Sequence, residues 1–309
     1  MKTNTHVFVI SAVAVLTGSA RAQVTATTRP SKDATVSVAN PNNNYGIAGK
    51  LTFSAPDANG EFQTVMAFDL SSVKASLDEM LGISNWQPMS LTLKLFKTDL
   101  SKSMPPYNPD ASGDFQVRYM PDTSWIEGGG DGKGKPVPGI TYATLPGYLA
   151  AGDIPIANTS LVVSDASMVS SLPFTAEEVS AIKNGGQIGL HLLAADSVVS
   201  YIFDSREGGQ QITSPALTVT AAMLGDANQD GIVNSSDFDI LALNFNQSGK
   251  SWSNGDFNGD GVVNALDFNA IATNFGRDVT SPAADLPEPE FACVLAGAVI
   301  GLRCRRRNP

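Results

Sequence analysis

The sequence contains very little cysteine and histidine, which limits both how the chain can be stabilised and what chemistry it can perform. Only two of its 309 residues are cysteines, Cys293 and Cys304, and both lie near the C-terminal end. The body of the chain therefore cannot rely on disulfides. Of the two histidines, only His191 lies beyond the first ten residues. One such histidine argues against a serine triad and against zinc chemistry, and we expect His191 to be a hydrogen-bonded sheet residue.

Basic residues are also scarce. The chain has 20 Lys and Arg against 30 Asp and Glu, which gives a net charge of −10. Nucleic acids and anionic lipids are bound by basic patches, so this balance predicts no nucleic-acid partner and no general affinity for anionic membranes. Eight aspartates lie between residues 226 and 278, so much of the acidity is concentrated there.

This acidic region holds a short pattern that occurs twice, in Gly225–Asp237 and again in Gly255–Asp267. Counting the first Asp as position 1, side chains that carry oxygen fall at positions 1, 3, 5, 9 and 12, with Gly at 6 and an apolar residue at 7. This spacing is that of the EF-hand calcium loop, in which a tight curl directs alternate oxygens at one ion. The sequence therefore predicts two calcium ions.

The predicted ligands have the same positions in both copies. They are Asp226, Asn228, Asp230, Ile232, Asn234 and Asp237 in the first loop, and Asp256, Asn258, Asp260, Val262, Asn264 and Asp267 in the second. Ile232 and Val262 are expected to coordinate through their backbone carbonyls while their side chains turn toward the core. Position 12 is Asp where the usual residue is Glu, and its shorter reach weakens the closing bidentate contact.

Each loop is followed by apolar residues at helical spacing, Phe238, Leu241 and Phe245 in the first copy and Phe268, Ile271 and Phe275 in the second. No helix is expected before the first loop, because residues 215–220 alternate like a strand. A duplicated loop and helix of this kind resembles a type I dockerin module over residues 224–278. The resemblance implies a cohesin-like protein partner, contacted through positions 10 and 11 of each loop, and a role in polysaccharide breakdown.

The two ends predict export and sorting. Residues 1–22 combine Lys2, the apolar run Val7–Leu16 and Ala20-Arg21-Ala22, which is typical of a signal peptide. Residues 279–309 hold Pro287-Glu288-Pro289, an apolar stretch and an arginine cluster, and resemble a PEP-CTERM sorting signal. That resemblance implies sorting machinery at the inner membrane, transient anchoring, C-terminal processing and a cell-surface or matrix location. The alternative is an ordinary C-terminal membrane helix.

Residues 23–222 show short alternating or β-branched runs between turn residues, which predicts an antiparallel β-sandwich. The predicted strands are Ala34–Val38, Lys50–Ser54, Thr64–Leu70, Ser90–Phe96, Phe115–Tyr119, Gln187–Leu193, Val198–Phe203 and Ala216–Thr220. One helix is predicted, Thr175–Lys183, with Thr175 and Glu178 forming a capping box. The Pro- and Gly-rich stretches Ser101–Asp114 and Gly128–Gly139 are expected to be surface loops.

Several short segments, in this order, resemble a DNRLRE-type jelly roll, a family akin to carbohydrate-binding modules. They include Asn44-Tyr45-Gly46, Met66–Leu70, Leu91–Phe96, Ser124–Glu127, Phe203–Glu207 and Pro215–Val219. The resemblance implies a jelly roll over residues 23–222. With the small α-helical module and its two calcium loops after it, the chain is predicted to be mainly β. The resemblance also implies a polysaccharide ligand.

Most of these residues are expected to be structural, with Phe68, Leu93, Leu95 and Trp125 in the core. Arg206 and Glu207 could pair with each other, pair with a neighbouring strand, or contact a ligand. The aromatic candidates for stacking on sugars are Trp86, Tyr107 and Tyr148, which could equally cap the sandwich. The candidate partners for an acidic polysaccharide are Lys50, Lys94 and Arg118.

The sequence therefore predicts a secreted, non-catalytic protein linked to polysaccharide binding or catabolism, and no catalytic residue is assigned. Two alternatives stay open. One is an extracellular glycan hydrolase or lyase, since glycosidic cleavage needs only two carboxylates. The other is a structural matrix or adhesion protein with no sugar ligand.

Overall fold

The computed structural model describes residues 23–98, 110–132, 137–150, 152–208 and 212–279. The predicted signal peptide of residues 1–22, Tyr107, and the sorting motif with its apolar stretch and arginines lie outside the described residues. Across the described part of the chain, the helices are too short or too polar to cross a membrane.

Residues 24–223 form two antiparallel sheets, which confirms the predicted sandwich. The strands are β1 Val24–Thr28, β2 Pro30–Ser37, β3 Lys50–Ser54, β4 Phe62–Asp69, β5 Trp86–Phe96, β6 Gly113–Tyr119, β7 Ile154–Leu161, β8 Ser167–Leu172, β9 Gln187–Ala194, β10 Ser200–Asp204 and β11 Ala216–Met223. One sheet has the order β1-β11-β5-β8. The other has the order β10-β3-β4-β9-β6-β7, and β2 also pairs with β4.

The main apolar core lies between the sheets. Alternation along β5 buries Leu91, Leu93 and Leu95, because successive side chains of a strand point to opposite faces. Phe53 of β3 stacks on Phe115 of β6 with ring centroids 4.5 Å apart. Phe68, Leu93, Leu95 and Trp125 are all buried, which confirms their predicted core role.

Three strands that the sequence did not indicate are β1, β7 and β8, and each lies at the edge of its sheet. Their sequences are rich in Thr, Ser, Asn and Pro, with β7 reading IPIANTSL. Edge strands bury fewer side chains and can carry proline, so their apolar pattern is weak.

The described residues contain five α-helices: α1 Ser71–Leu81, α2 Leu145–Leu149, α3 Ala176–Asn184, α4 Ser235–Asn244 and α5 Ala265–Asn274. The capping box of Thr175 and Glu178 is confirmed at α3. The prediction that the sandwich contains only one helix is wrong, because α1 and α2 also form. In α1, Val73, Leu77 and Leu81 are buried at four-residue spacing, the pattern of one helix face.

The stretch Gly128–Gly139 was predicted to be a surface loop, and its described residues, 128–132 and 137–139, are partly buried. Gly130 packs so closely on the backbone of Asn44 that a Cβ there would lie 2.3 Å from the Asn44 carbonyl oxygen. The Asn44 amide also donates to the carbonyls of Glu127 (2.7 Å) and Ile140 (2.8 Å). Asn44 is itself buried, so this loop is fixed to the body of the sandwich.

Strand β11 leads directly into the first predicted calcium loop, so the C-terminal helices lie against the sandwich. The amide of Leu224 donates to the carbonyl of Asn85, 2.9 Å away, at the base of β5. Val233, Leu241, Val263 and Ile271 belong to the same buried apolar cluster as the core of the sandwich.

Candidate calcium-binding module

The first loop is curled by backbone amides that donate to its acidic side chains. Asp226, at position 1, accepts from Asp230 N (3.1 Å) and Gly231 N (2.9 Å). Asp230 in turn accepts from Ile232 N at 2.9 Å. Gly231 has φ of +90°, a conformation that favours glycine, so the tight turn explains the Gly at position 6. The ring of bonds holds alternate oxygens inside the curl.

The second loop repeats this geometry. Asp256 accepts from Gly259 N and Gly261 N, both at 2.9 Å, and Gly261 has φ of +81°. Asp260 accepts from Val262 N at 2.8 Å. In both loops the Asn at position 3 donates its amide to the Asp at position 5, at 2.9 Å. Two segments with the same ligand spacing thus fold in the same way.

The Asp at position 12 closes each loop and opens the following helix. Asp237 accepts from Ala227 N (2.8 Å) at the start of its loop and from Asn234 N (2.9 Å). Asp267 makes the same bonds to Phe257 N (2.8 Å) and Asn264 N (2.9 Å). The Asn at position 9 is the N-cap of the helix in each case. In each repeat the Asn and the Asp side chains also accept from each other's backbone amides. This capping box joins the loop to the helix.

The side chains at position 7 do not turn to the core as predicted. Val262 is 36% exposed and Ile232 is partly exposed, whereas the next residues, Val233 and Val263, are fully buried. The reason is that Ile232 and Val262 form β-bridges with other segments, to Asp278 and Ser248, so the side chain of the next residue points the opposite way, to the core. A carbonyl role for position 7 is unaffected by this correction.

Each loop pairs with the segment that follows the other helix. Val233 N donates to Arg277 O at 3.0 Å, and Gly276 N donates to Val233 O at 2.8 Å. The second loop does the same with the segment after α4, since Asn246 N donates to Val263 O at 2.8 Å. The two repeats are thereby interlocked, and neither loop is closed by its own repeat alone.

Burial sets the electrostatics of the first loop. The Asp226 side chain is fully buried, and this burial raises its pKa to about 6 despite a hydrogen bond from Gly231 N, with the charges of Asp237 and Asp230 adding to the rise. Burial likewise raises the pKa of Asp237. Closely spaced carboxylates in a buried loop favour a bound cation, and carboxylate and carbonyl oxygens are the ligands that calcium prefers.

Most apolar residues that predicted helices α4 and α5 remain in contact with solvent. Leu241 and Ile271 are buried, whereas Phe238 is 42% and Phe268 is 45% exposed. These two rings meet edge to face with centroids 6.1 Å apart. The equivalent residues of the two helices therefore form one shared apolar surface.

Of the aromatic candidates for sugar stacking, Trp86 is the one whose position excludes that role. It is fully buried at the start of β5, and its Nε1 donates to Asp78 Oδ1 at 2.8 Å. The sequence did not indicate α1, which supplies that carboxylate and covers the ring. Tyr148 packs against a second apolar cluster around Trp125, so it also serves the core.

Two of the three basic candidates are already in ion pairs. Lys50 contacts Asp204 at 2.8 Å, and Arg118 contacts Asp153 at 2.5 Å. Lys94 lies over the ring of Phe96, 4.7 Å from its centroid. The predicted structural role of His191 is confirmed, because it is buried and its Nε2 lies 2.8 Å from Gln63 Oε1.

Sequence reasoning missed a cluster of carboxylates on the sandwich. Asp33, Glu127 and Glu207 have oxygens that all lie within 4.8 Å of one another. Arg206 lies among them, and its contact of 2.7 Å with Glu207 confirms that these neighbours pair. Burial raises the pKa of Asp33 to about 8, partly offset by a hydrogen bond from Arg206 N. No local sequence signal indicated this cluster, because its three members come from separate segments of the chain.

Fold and site together define a duplicated loop-helix module of the calcium-binding kind, attached to a β-sandwich. A family model for the dockerin type I domain matches residues 224–276, so the chain carries a dockerin module. Such domains typically bind calcium.

Among solved structures, the chain is similar to a type II cohesin-dockerin domain from Bacteroides cellolosolvens. Their identity is 36% over 19% of this chain and 92% of that chain, with a TM-score of 0.17, so this likeness does not bear on the fold. The comparison with curated proteins returned no match.

Proposed function

We propose that this is an exported, non-catalytic protein that is docked by its C-terminal module to a cohesin-like partner and presents its sandwich to a polysaccharide. The observation that carries the proposal is the dockerin type I match over residues 224–276, at two loops folded for oxygen ligation. The role is attachment, and through it a link to polysaccharide catabolism.

The docking surface is the exposed apolar side of α4 and α5. Leu243 is 78% exposed, Leu266 68% and Phe275 60%. The rings of Phe238 and Phe268 meet between the two helices, and exposed apolar side chains on a small module are typical of a protein-binding site. Positions 10 and 11 border this surface and differ between repeats, being Ser235-Ser236 in one and Ala265-Leu266 in the other. The two repeats therefore offer a partner unequal contacts.

Two calcium ions, one in each loop, complete the module. The ligands are the twelve residues predicted from spacing, and the matching hydrogen bonds of the first and last Asp in the two loops support equal stoichiometry. Bound calcium stabilises the loops, and the loops fix the positions of helices α4 and α5. Binding of the partner therefore depends on the ion.

The polysaccharide surface is the outer face of the four-stranded sheet. Strand register aligns four hydroxyl side chains in a row across it, Thr27, Thr218, Thr92 and Ser171. The hydroxyls of Thr27 and Thr218 lie 2.8 Å apart. Hydroxyls both donate and accept, as sugar hydroxyls do, and Lys94 lies on the same face of β5 as Thr92. This placement and the resemblance to a DNRLRE-type jelly roll support a sugar ligand.

Export and sorting complete the proposal. The signal peptide would direct secretion, and the PEP-CTERM-like tail would hold the chain at the inner membrane until processing releases it to the cell surface or matrix. Mass spectrometry of surface-exposed protein tests this, because peptides from Arg303 onward on the secreted form would contradict processing near Pro287–Pro289.

The decisive test of function is retention of the full chain on a panel of immobilised polysaccharides, with cleavage assayed in parallel. We expect retention without cleavage, lost in the double variant Thr92→Val and Thr218→Val, which keeps shape but removes two hydroxyls. Thr123→Val, outside the row, is the matched control.

Cleavage that disappears with one carboxylate would favour the hydrolase or lyase alternative. Self-association without retention would favour the matrix or adhesion alternative. Cohesin docking is tested separately, by calcium-dependent capture of the chain on an immobilised cohesin.

A further inference from the structure

Three segments far apart in sequence bring carboxylates together on the sandwich. Asp33 lies in β2, Glu127 follows Trp125 in a loop after β6, and Glu207 follows β10. One oxygen from each side chain lies within 4.8 Å of the other two. Calcium–oxygen distances are about 2.3–2.6 Å, so oxygens on opposite sides of one ion lie about 5 Å apart. The spacing of the cluster therefore fits a single calcium ion.

Asp33 has an oxygen that its surroundings leave unused. The residue is 1% exposed, and its Oδ2 accepts from Arg206 N at 3.0 Å. Its Oδ1 is buried and has no hydrogen-bond partner within the part of the chain that the structure describes. A buried carboxylate oxygen without a partner is costly, and a cation in the cluster would satisfy it.

The cluster also has an excess of negative charge that a cation would neutralise. Three carboxylates face one guanidinium, since Arg206 binds Glu127 through Nε (2.9 Å) and Nη2 and reaches Glu207 at 2.7 Å. When all three carboxylates are ionised, as they would be around a bound cation, that arrangement carries two negative charges, which a divalent ion balances. Hard carboxylate oxygens without His or Cys are the donor set of calcium and magnesium.

The cluster is held by a fixed framework. Asp33 N donates to Glu127 Oε1 at 2.7 Å, and the Asn44 amide holds the Glu127 carbonyl. The hydroxyl of Ser205 accepts from Glu207 N at 3.2 Å. The Glu207 side chain is 24% exposed, against 14% for Glu127, so the cluster opens to solvent on the Glu207 side. An ion thus has both prearranged ligands and a route of entry.

We propose that Asp33, Glu127 and Glu207 bind one calcium ion that is separate from the ions of the C-terminal loops. This ion ties β2, the loop after β6 and the end of β10 together. The proposal does not depend on the proposed function, because it concerns only side chains of the sandwich.

The test is to count bound calcium per full-length chain by equilibrium dialysis at fixed free calcium. Glu207→Gln and Asp33→Asn keep the size of the side chain and remove one charge each. Each should lower the count by one relative to the unmodified chain. Because only the difference matters, the result holds whatever number of ions the C-terminal loops take.

Glu79→Gln is the matched control, since Glu79 lies on the exposed side of α1, and its count should equal that of the unmodified chain. If Asp33→Asn fails to fold, Glu207→Gln still decides, because its partly exposed side chain tolerates the change. Equal counts in both variants and the unmodified chain would overturn the proposal and leave Arg206 as the sole counter-charge.

Discussion

The two repeats of the dockerin module have nearly the same internal geometry but different surroundings. In both, the first Asp accepts from the Gly at position 6 at 2.9 Å, and the last Asp accepts from the residue at position 2 at 2.8 Å. Around the first loop, however, Gln229 accepts a hydrogen bond from Gln23 of the sandwich at 3.0 Å, whereas its counterpart Gly259 is exposed. The spacing of the ligands thus determines the hydrogen bonds within each loop, whereas contact with the sandwich differs between the two loops.

Equivalent helix residues also differ, but here it is the second repeat that contacts the junction with the sandwich. Asn274, near the end of α5, is buried and donates to Leu224 O (2.9 Å) at the junction with the sandwich as well as to Ala270 O (3.1 Å). Its counterpart Asn244 is less buried and donates to Ile240 O within its own helix. One duplicated side chain therefore links two parts of the molecule in one repeat and not in the other.

Removal of calcium should have the largest effect on this comparison, because we propose that each loop binds one ion. A ligand at a hundred times its Kd stabilises the folded state by about 2.7 kcal/mol, so the two ions that we propose would contribute about 5 kcal/mol. In excess chelator the helical circular dichroism of the module should be lost while the sheet signal of the sandwich persists. An unchanged melting temperature would show that the loops do not need the ion, and addition of magnesium alone is the control.

Single ligand substitutions should show that the first repeat is the more sensitive. Asp230→Ala and Asp260→Ala remove equivalent contacts, to Ile232 N (2.9 Å) and Val262 N (2.8 Å). We expect each to cost about 1–3 kcal/mol, with Asp230→Ala the larger, because disorder in loop 1 also breaks its contacts with the sandwich. Calorimetric unfolding of both variants in calcium measures this, and a larger loss for Asp260→Ala would contradict it.

Substitution of Asn274 and of Asn244 distinguishes the stability that comes from the junction with the sandwich from the stability that comes from the helices themselves. Asn274→Ala leaves the carbonyl of Leu224 without its donor and should cost about 1–2 kcal/mol. Asn244→Ala removes only a bond within a partly exposed helix end and should cost less than about 0.5 kcal/mol. Denaturant unfolding of the full chain compares the two, and equal losses would mean that the junction contributes nothing.

Exchange of the pairs at positions 10 and 11 should have the smallest effect. Placing Ala-Leu at Ser235-Ser236 adds apolar contact, and placing Ser-Ser at Ala265-Leu266 removes an exposed Leu. We expect unequal changes in affinity for a cohesin, about threefold to tenfold, which corresponds to about 1 kcal/mol. Calorimetric titration measures both, and equal losses would show that the partner uses the two repeats alike.

The sequence was most informative where geometry is dictated locally. The curl of Asp226 to Asp237 follows from side chains bonding to backbone within a few residues, and so does the capping box of Thr175 and Glu178. Position 7 was predicted wrongly because its direction depends on pairing with a segment beyond the other helix. Trp86 was misplaced for a similar reason, since the helix α1 that covers it depends on tertiary burial of Val73, Leu77 and Leu81.

The cluster of Asp33, Glu127 and Glu207 could not be predicted at all, because its members come from three segments joined only by the folded sheet. Edge strands β1, β7 and β8 were missed because their polar composition reflects a position that only the complete sheet defines. Contacts between residues close in sequence can be predicted from residue spacing, whereas contacts between distant segments can be predicted only when the strand order is known.

The crossed pairing of the calcium loops has a consequence for a single repeat. Residues 261–263 take their pairing partners from the segment after α4, and residues 231–233 from the segment after α5. A peptide of residues 224–250 alone would have a loop and a tail that cannot close on each other. A second copy of that peptide would supply both partners, so it should form a symmetric dimer, with Phe238 meeting its own copy where it now meets Phe268. Sedimentation of the peptide in calcium would show a dimer, and a folded monomer would contradict this.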